Sequence, residues 1–338
     1  MIHTIQFYLN LSKKDICFLE DYHEDSFINL LSCVEHTFEG VTLNLVPFNT
    51  THTYNLYLIV DLISFLGKKD GVITENDLIP TLHQITSLEQ YLLASLDLKF
   101  TLIRLDYRVD IYLSDSSYRE AIFDLWQKLA RKYYHLKKCT CSKSKPEVDL
   151  ERIKQSTPFK TSLYFNSKSL VVIAYDKEAE RISKKIPPKN FEKGILRFEI
   201  RLNNSHLNNM KHNKKRPKEL AAYFNYNTYL EYINKYLIRI FGRGDYYKIY
   251  QAKKLVHSSS FTLKKQEKLI HFLKDISCNT LENLLSYQDD SNTPTYSRYT
   301  FKTYSNDLAS LDINFILIPQ NHPTLPSHVP NPLSQFYN

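Results

Sequence analysis

The fold expected for this chain follows from the stretch Lys99-Phe-Thr-Leu-Ile-Arg-Leu-Asp-Tyr-Arg-Val-Asp-Ile-Tyr-Leu113. Charged residues at positions 104, 106, 108 and 110 alternate with apolar residues at 105, 107 and 109, which is the period of a β-strand. One face of this strand is apolar and suited to a core. The other face carries four charges, and these need partners because burying an unpaired charge is costly.

A second strand with the same alternation is predicted from Ile195 to Leu202, where Arg197, Glu199 and Arg201 share one face. Together these two strands predict an antiparallel sheet with one strongly charged face. The rest of the pattern adds strands at residues 2–10, 41–46 and 53–61, a hairpin at 161–175, and helices at 76–95, 116–134 and 218–241. This mixture predicts an α+β fold, an antiparallel sheet flanked by helices.

The C-terminal part of the chain has a different character. Helices are predicted at residues 263–276, 280–287 and 293–311, and the apolar run 313–318 is predicted to be a strand. Three helices and a strand in this order are typical of a winged-helix or helix-turn-helix unit that binds DNA. In that case residues 296–304 form the recognition helix, with Arg298 and Lys302 placed to reach a groove; a plain helical support domain is the alternative.

The sequence thus predicts three regions. Residues 1–240 form the sheet domain, residues 255–318 form the winged-helix-like domain, and residues 319–338 form a disordered tail rich in proline.

The charge of the chain is unevenly distributed. Its net charge is +8, but residues 1–130 carry −9, residues 131–218 carry +15 and residues 219–338 carry +2. A segment this basic is a candidate contact surface for a polyanion such as DNA. A solvated face in a lysine-rich protein explains the same charge.

Composition excludes several classes of protein. A hydrophobic fraction of 43% excludes a chain disordered throughout, and no run of 18 apolar residues exists that would form a transmembrane helix. The N-terminus lacks the layout of a signal peptide, and an odd number of scattered cysteines, 5, does not form a disulfide framework. A cytoplasmic location without a membrane partner is therefore expected.

Two acidic residues on the charged strands are candidate metal ligands. Asp106 and Glu199 supply oxygen atoms on rigid strands, which suits Mg²⁺ or Mn²⁺. Tyr175, at the end of the predicted hairpin, is a candidate nucleophile, and Lys177 two residues later supplies positive charge that favours its phenolate. The simpler interpretation is that the two acids pair with neighbouring arginines on a solvated sheet face.

Three motifs occur in a fixed order: Ile103-Arg-Leu-Asp106, Ala174-Tyr-Asp-Lys-Glu-Ala-Glu180 and Leu196-Arg-Phe-Glu-Ile-Arg201. This series resembles the Arg-Ile-Asp strand, the Tyr-x-Lys-x-x-Glu segment and the Arg-Phe-Glu strand of the replication initiators of filamentous phages and related plasmids, the gene two/gene ten family. The resemblance covers about residues 100–240. It implies a fold related to the HUH endonucleases, although the His-hydrophobe-His strand of those enzymes is not found in this sequence.

The resemblance also implies an activity, which is nicking and closing of DNA in rolling-circle replication. A tyrosine cleaves one origin strand, keeps the 5′-phosphate as a phosphotyrosine and leaves a 3′-hydroxyl primer. Tyr175 takes the place of that tyrosine, with Lys177 in support. Asp106, Glu199 and Glu180 take the places of the ligands for Mg²⁺ or Mn²⁺, while Arg104, Arg197 and Arg201 are expected to contact DNA.

The implied partners are origin DNA, as single strand and as duplex, and the host helicase and polymerase. Only one tyrosine lies in the motif, so a second strand transfer requires another subunit of a homodimer, another tyrosine or water. Two further hypotheses use the same sequence. One is a sequence-specific DNA-binding regulator with the same fold but no catalysis, and the other is an RNA-binding or structural phage protein with a basic surface.

Overall fold

A computed structural model describes residues 1–48, 53–129, 132–133, 136–139, 161–279, 281–285, 287–288, 293–323 and 325–337. These residues form an α+β structure whose large sheet is antiparallel and flanked by helices, which confirms the predicted fold class. The sheet has nine strands: β1 (Ile2–Ser12), β2 (Val41–Phe48), β3 (Thr53–Asp61), β4 (Thr101–Tyr112), β5 (Lys132–Tyr133), β6 (Leu136–Cys139), β7 (Ser162–Asn166), β8 (Leu170–Asp176) and β9 (Ile195–Asn203). Their order is β2-β3-β1-β4-β9-β8-β7-β6-β5.

Helices connect these strands and form most of the C-terminal part. They are α1 (Lys13–His23), α2 (Phe27–Thr37), α3 (Leu62–Phe65), α4 (Leu78–Leu93), α5 (Ser116–Trp126), α6 (Lys177–Ser183), α7 (Asn204–Lys214), α8 (Tyr226–Tyr232), α9 (Arg239–Phe241), α10 (Ile249–His257), α11 (Leu263–Cys278), α12 (Leu281–Leu285) and α13 (Arg298–Ala309). Ile233–Ile238 is π-helical. Outside the large sheet there are the short strands β10 (Tyr246–Tyr247), β11 (Tyr287–Gln288), β12 (Thr293–Pro294) and β13 (His328–Val329). No helix among the described residues combines the length and the apolar character that a membrane crossing requires.

Side-chain caps explain where several helices begin. The hydroxyl of Ser12 accepts a hydrogen bond from the backbone of Asp15, whose carboxylate bonds back to Ser12, so β1 ends in a capping box that starts α1. Asp176 has the same role at the end of β8, because its carboxylate accepts from the backbone N–H of Ala179 and starts α6. The strand therefore ends one residue after Tyr175, and the helix begins at Lys177.

The described residues pack into two compact units. The first comprises Met1–Val109, Lys168–Val171 and Glu199–Glu231, and the second comprises Asp110–Ser167, Val172–Phe198 and Tyr232–Asn338. This division differs from the predicted domains 1–240 and 255–318. The order of predicted helices and strands along the chain indicated that boundary, whereas the units follow packing between residues distant in sequence.

The first unit has its core on the apolar face of the sheet. Alternate residues of β1 are buried there, and β3 faces them in antiparallel register, with Ile5 opposite Val60 and Phe7 opposite Leu58. Helices α2 and α4 contribute the buried residues Phe27, Leu30, Leu31, Val34, Ile85, Leu88 and Leu92. Residue alternation along β1 and β3 thus separates a dry face from the charged one.

The second unit is built around aromatic side chains. Trp126 is fully buried, and the centre of its ring lies 4.6 Å from the ring centre of Phe241 and 5.5 Å from that of Phe198. Its indole N–H donates a hydrogen bond to the hydroxyl of Tyr246 at 2.9 Å. Residues before 200 and after 240 therefore share one core. This packing explains why Tyr232–Asn338 is grouped with Asp110–Ser167 and Val172–Phe198 in the second unit.

The C-terminal segment corrects the prediction of a disordered tail, at least for residues 325–337. Strand β13 pairs with β10, and Val329 and Leu333 are buried. The side chain of Asn331 donates to the carbonyl oxygens of Gly242 and Gly244 at 3.3 and 3.1 Å. The prolines, from which disorder was predicted, are interspersed with single apolar residues that are buried in the second unit.

Of the predicted winged-helix unit, the structure contains the three helices, since α11, α12 and α13 lie at the predicted positions. The apolar run Ile313–Ile318 is buried but is not a continuous strand, because it forms only isolated bridges, from Ile313 to Asp245 and from Ile318 to Lys248. A short apolar run indicates burial, and periodicity alone does not separate a strand from an irregular buried segment.

Candidate functional site

The charged face of the first unit has a buried carboxylate at its centre. Asp106 on β4 is fully buried and is held by two guanidinium groups. Nε of Arg104 donates to its Oδ1 at 2.8 Å, with a second, shorter bond from the same guanidinium to Oδ2. Nε of Arg201 lies 3.1 Å from Oδ2 and 3.3 Å from Oδ1. The predicted pairing of Asp106 with neighbouring arginines is therefore present.

Three potential metal ligands meet on this face. One ligand atom each from His3, Asp106 and Glu199 lies within 4.8 Å of the others. Nε2 of His3 is 3.4 Å from Oε1 of Glu199, and both side chains are largely shielded from solvent. The structure thus brings together the two predicted carboxylates, from strands nearly a hundred residues apart, and adds an imidazole that the sequence had not indicated.

A β-bulge places His3 on this face. In the pairing of β1 with β4, Ile2 lies opposite Tyr107 but Thr4 lies opposite Asp106, so His3 is an extra residue on β1. An extra residue of this kind re-aims its own side chain, and bulges are common beside active sites. Because of the bulge, Ile2 and Ile5 both point into the core although they are three positions apart.

The start of β1 is anchored to the first unit. The N-terminal ammonium of Met1 donates to the carbonyl oxygen of Ile73 at 2.7 Å, and the carbonyl oxygen of Met1 accepts from the backbone N–H of Arg108 at 2.6 Å. The guanidinium of Arg108 reaches the carbonyl oxygen of Gly71. These bonds fix the backbone on the N-terminal side of His3 and so limit where its imidazole can go.

Electrostatics keeps the guanidinium of Arg104 charged. Burial lowers the pKa of Arg104, but the hydrogen bond and the charge of Asp106 raise it above its ordinary value, and Glu199 adds to the rise. The guanidinium is therefore cationic at any physiological pH. A metal ion that binds to Asp106 must compete with this cation and with Arg201.

The predicted nucleophile lies in the second unit. Tyr175 is half-buried near the end of β8, and Nζ of Lys177 is 5.8 Å from the centre of its ring. Asp176 between them points away to Arg119, whose Nε donates to its carboxylate at 2.6 Å. Tyr175 and Lys177 thus stand on either side of the junction between β8 and α6.

The ammonium of Lys177 is buried and has acidic neighbours. It donates to Oε2 of Glu180 at 2.8 Å and lies 3.7 Å from Oε1 of Glu192. Burial lowers the pKa of Lys177, the hydrogen bond to Glu180 opposes that shift, and the charge of Arg197 adds to it. The net result is a lysine with a pKa below its ordinary value.

Two residues predicted to act at the site have other partners. Glu180, predicted as a metal ligand, forms salt bridges with Lys177 and Lys184, and these bonds lower its pKa although burial raises it. Arg197, predicted to contact DNA, is buried and donates two hydrogen bonds to Asp110 at 2.7 and 2.8 Å. Their charges are used to hold neighbouring elements, which a local motif does not reveal.

The predicted recognition helix is α13, and its basic residues are accessible. Arg298 and Lys302 are exposed one helical turn apart, and Tyr299 beside them is 80% exposed. Tyr296, by contrast, is buried against Phe272 and lies before the first residue of the helix.

Sequence reasoning missed His3, although one signal was available. Ile2 and Ile5 are apolar residues three positions apart within a strand whose later residues alternate strictly. Such a break in the period of two is what a bulge produces. Locating the side chain beside Glu199 still required the three-dimensional pairing.

No family model matches the chain, and a search of curated proteins finds no match.

Proposed function

We propose that this protein is a metal-dependent DNA-nicking enzyme of the rolling-circle replication type, in which Tyr175 forms a covalent 5′-phosphotyrosine. The observation that carries the proposal is the convergence of His3, Asp106 and Glu199 on one sheet face. Two of these residues belong to the motifs that resemble the phage and plasmid initiators. The net charge of +15 in residues 131–218 supports DNA as the substrate.

The donor set fits a small divalent cation. Two carboxylates suit Mg²⁺ and Mn²⁺, and an imidazole beside them favours Mn²⁺, which accepts nitrogen ligands more readily. His3, Asp106 and Glu199 are the residues that would hold the ion. When bound, it polarises a phosphodiester and offsets negative charge on the phosphate oxygens.

The chemistry of the proposed step belongs to Tyr175. Its phenol oxygen loses a proton and attacks phosphorus, the bond from phosphorus to the 3′-oxygen breaks, and that oxygen takes up a proton to become a 3′-hydroxyl. The ammonium of Lys177 favours the phenolate by its charge. The phosphotyrosine keeps the phosphodiester energy, so that a 3′-hydroxyl can reverse the step and close the strand.

The test is an assay for a covalent adduct. Wild-type protein and the variant Tyr175→Phe are each incubated with Mn²⁺ and supercoiled DNA that carries the origin of its element. The variant is expected to form no covalent protein–DNA adduct, because only the nucleophilic oxygen is removed. Its affinity for DNA is expected to stay within about twofold of the wild-type affinity. Tyr250→Phe, which changes a 42% exposed tyrosine elsewhere, is the matched control and retains the adduct. An adduct formed by Tyr175→Phe refutes the assignment.

A second candidate function is favoured by the two arginines that bind Asp106. Their guanidinium groups already neutralise the buried carboxylate, so the face is also suited to a DNA-binding regulator without catalysis. In that case Mn²⁺ does not bind at millimolar concentration and wild-type protein forms no adduct, while DNA binding persists in EDTA.

The remaining roles follow from the proposed activity. Origin DNA, single-stranded and duplex, is the substrate, and the exposed residues Arg298 and Lys302 of α13 are placed to contact duplex DNA in the manner of a winged helix. A host helicase unwinds the duplex, and a host polymerase extends the freed 3′-hydroxyl. The second strand transfer uses a tyrosine of the other subunit of a homodimer, another tyrosine of the same chain, or water.

A further inference from the structure

A basic cavity lies in the first unit, formed by the end of α7 and the loop that follows it. Its volume is about 330 Å³, and it is lined by Thr101, Lys211, Lys215, Arg216, Pro217, Lys218 and Glu219. Four of these seven residues are cations. The cavity volume is at the lower end of the range for small-ligand sites, enough for one phosphate group with its sugar.

Three of the four cations that line the cavity are lysines, and they differ from the arginine in their ion pairing. Among the described residues, no carboxylate lies within salt-bridge distance of Lys211, Lys215 or Lys218. Arg216 differs, since its guanidinium donates to Glu231 at 2.7 Å. Four cations and one carboxylate, that of Glu219, therefore line the same concave surface, so the lining residues carry a net charge of +3. An anion is the ligand that such a surface attracts.

Local contacts position three of the four cationic residues. Lys215 ends α7 in the left-handed conformation, with φ of 52°, and its N–H donates to the carbonyl oxygen of Met210. The guanidinium of Arg216 lies 5.8 Å from the ring centre of Tyr223, and Pro217 restricts the residue before it. Nζ of Lys218 is fixed by a 2.5 Å hydrogen bond to Oδ1 of Asn204.

The titration of Lys218 agrees with crowded positive charge. Burial lowers its pKa, and the neighbouring charge of Lys211 lowers it further. A bound anion reverses the second effect, so binding stabilises the protonated lysine.

We propose that this cavity binds a phosphate group of a DNA strand, as an anchoring site separate from the residues assigned to catalysis. DNA as the source of the phosphate rests on the proposed function, whereas the chemistry of the cavity does not. Phosphate is favoured over carboxylate because its oxygens accept hydrogen bonds from several ammonium and guanidinium groups at once.

The test measures DNA affinity without metal, so that it is independent of nicking. A fluorescent single-stranded oligonucleotide is titrated in EDTA at several NaCl concentrations. The variant Lys211→Gln/Lys215→Asn/Lys218→Gln removes three charges, and asparagine at 215 tolerates the left-handed conformation. Lys13→Gln/Lys14→Gln/Lys69→Gln removes three exposed charges elsewhere in the same unit and is the matched control.

The cavity variant is expected to bind the oligonucleotide at least about tenfold more weakly at low salt, with the slope of log K against log[NaCl] smaller by about 0.7 for each phosphate lost. The control is expected to keep the wild-type slope. Equal slopes for the cavity variant and the wild type overturn the inference.

A second arm separates DNA from a free phosphate compound. ATP is titrated in EDTA into the wild type and into the cavity variant. If the variant no longer binds ATP but keeps its affinity for DNA, the cavity is a nucleotide site and the DNA proposal is overturned. The adduct assay on Tyr175→Phe reports separately on nicking. Loss of DNA binding in the cavity variant therefore supports the anchor even where no adduct forms.

Discussion

At the scale of single residues, the site depends on one imidazole and on the cations that surround one carboxylate. His3 approaches Glu199 at 3.4 Å, while Asp106 is bonded to both Arg104 and Arg201. The approach of His3 to Glu199 favours metal binding, whereas the salt bridges of Asp106 with the two arginines oppose it. The measured affinity for a metal cation therefore shows which effect is larger.

Replacement of His3 tests its role as a ligand. His3→Ala is expected to weaken Mn²⁺ binding by about 10- to 100-fold, since losing one of three protein ligands removes a direct bond and the orientation it gives. Isothermal titration calorimetry on the full chain measures this. His83→Ala, an exposed histidine of α4, is expected to bind Mn²⁺ as the wild type does. Equal affinities for His3→Ala and wild type exclude His3 from the site.

At the scale of secondary-structure elements, irregular positions determine how neighbouring segments fit. The bulge in β1 turns His3 toward the charged face. In the second unit, Gly244 has φ of 81°, and a Cβ built there lies 2.6 and 2.7 Å from the backbone of Ile313. The hydrogen bond from Asn314 N–H to the carbonyl oxygen of Asp245 closes the same contact at 2.8 Å.

Gly244→Ala is expected to lower the free energy of unfolding by about 2–4 kcal/mol, because both the left-handed conformation and the backbone contact exclude a methyl group. Gly67→Ala is the matched control, since Gly67 also has positive φ, 61°, but nothing lies within 4 Å of its added Cβ. That variant is expected to lose only about 1 kcal/mol. Urea unfolding measures both, and equal losses contradict the role given to the contact with Ile313.

At the scale of the whole molecule, contacts between distant residues define each unit. In the first unit the ammonium of Met1 bonds to Ile73, and in the second Asn331 bonds to Gly242 and Gly244. Linear order is therefore a poor guide to the units, and the C-terminal segment contributes to a core that begins before residue 130.

Leu333→Ala tests whether the C-terminal segment contributes to stability. Leu333 is 0% exposed, so its truncation is expected to cost about 2–5 kcal/mol. Leu263→Ala, at a leucine 77% exposed in the same unit, is expected to change the free energy of unfolding by less than about 0.5 kcal/mol. A disordered tail predicts instead that Leu333→Ala has no effect on thermal or urea unfolding.

Features that depend on local periodicity can be predicted from the amino-acid order alone. Alternation along residues 99–113 and 195–202 predicted both charged strands, which form at residues 101–112 and 195–203, and helical spacing predicted α11 and α13. It also predicted that Asp106 and Glu199 face the same side, since residues of one strand alternate with a period of two and both strands bury their apolar face.

Which charges meet and which segments pack together depends on the folded chain. The position of His3 depends on a bulge in the pairing of β1 with β4, and Glu180 and Arg197 are occupied by residues that the motifs do not contain. The burial of Val329, Asn331 and Leu333 in the C-terminal segment depends on partners about 85 residues earlier. Periodicity is a property of neighbours along the chain, whereas pairing register and core packing are set by the free energy of the whole fold.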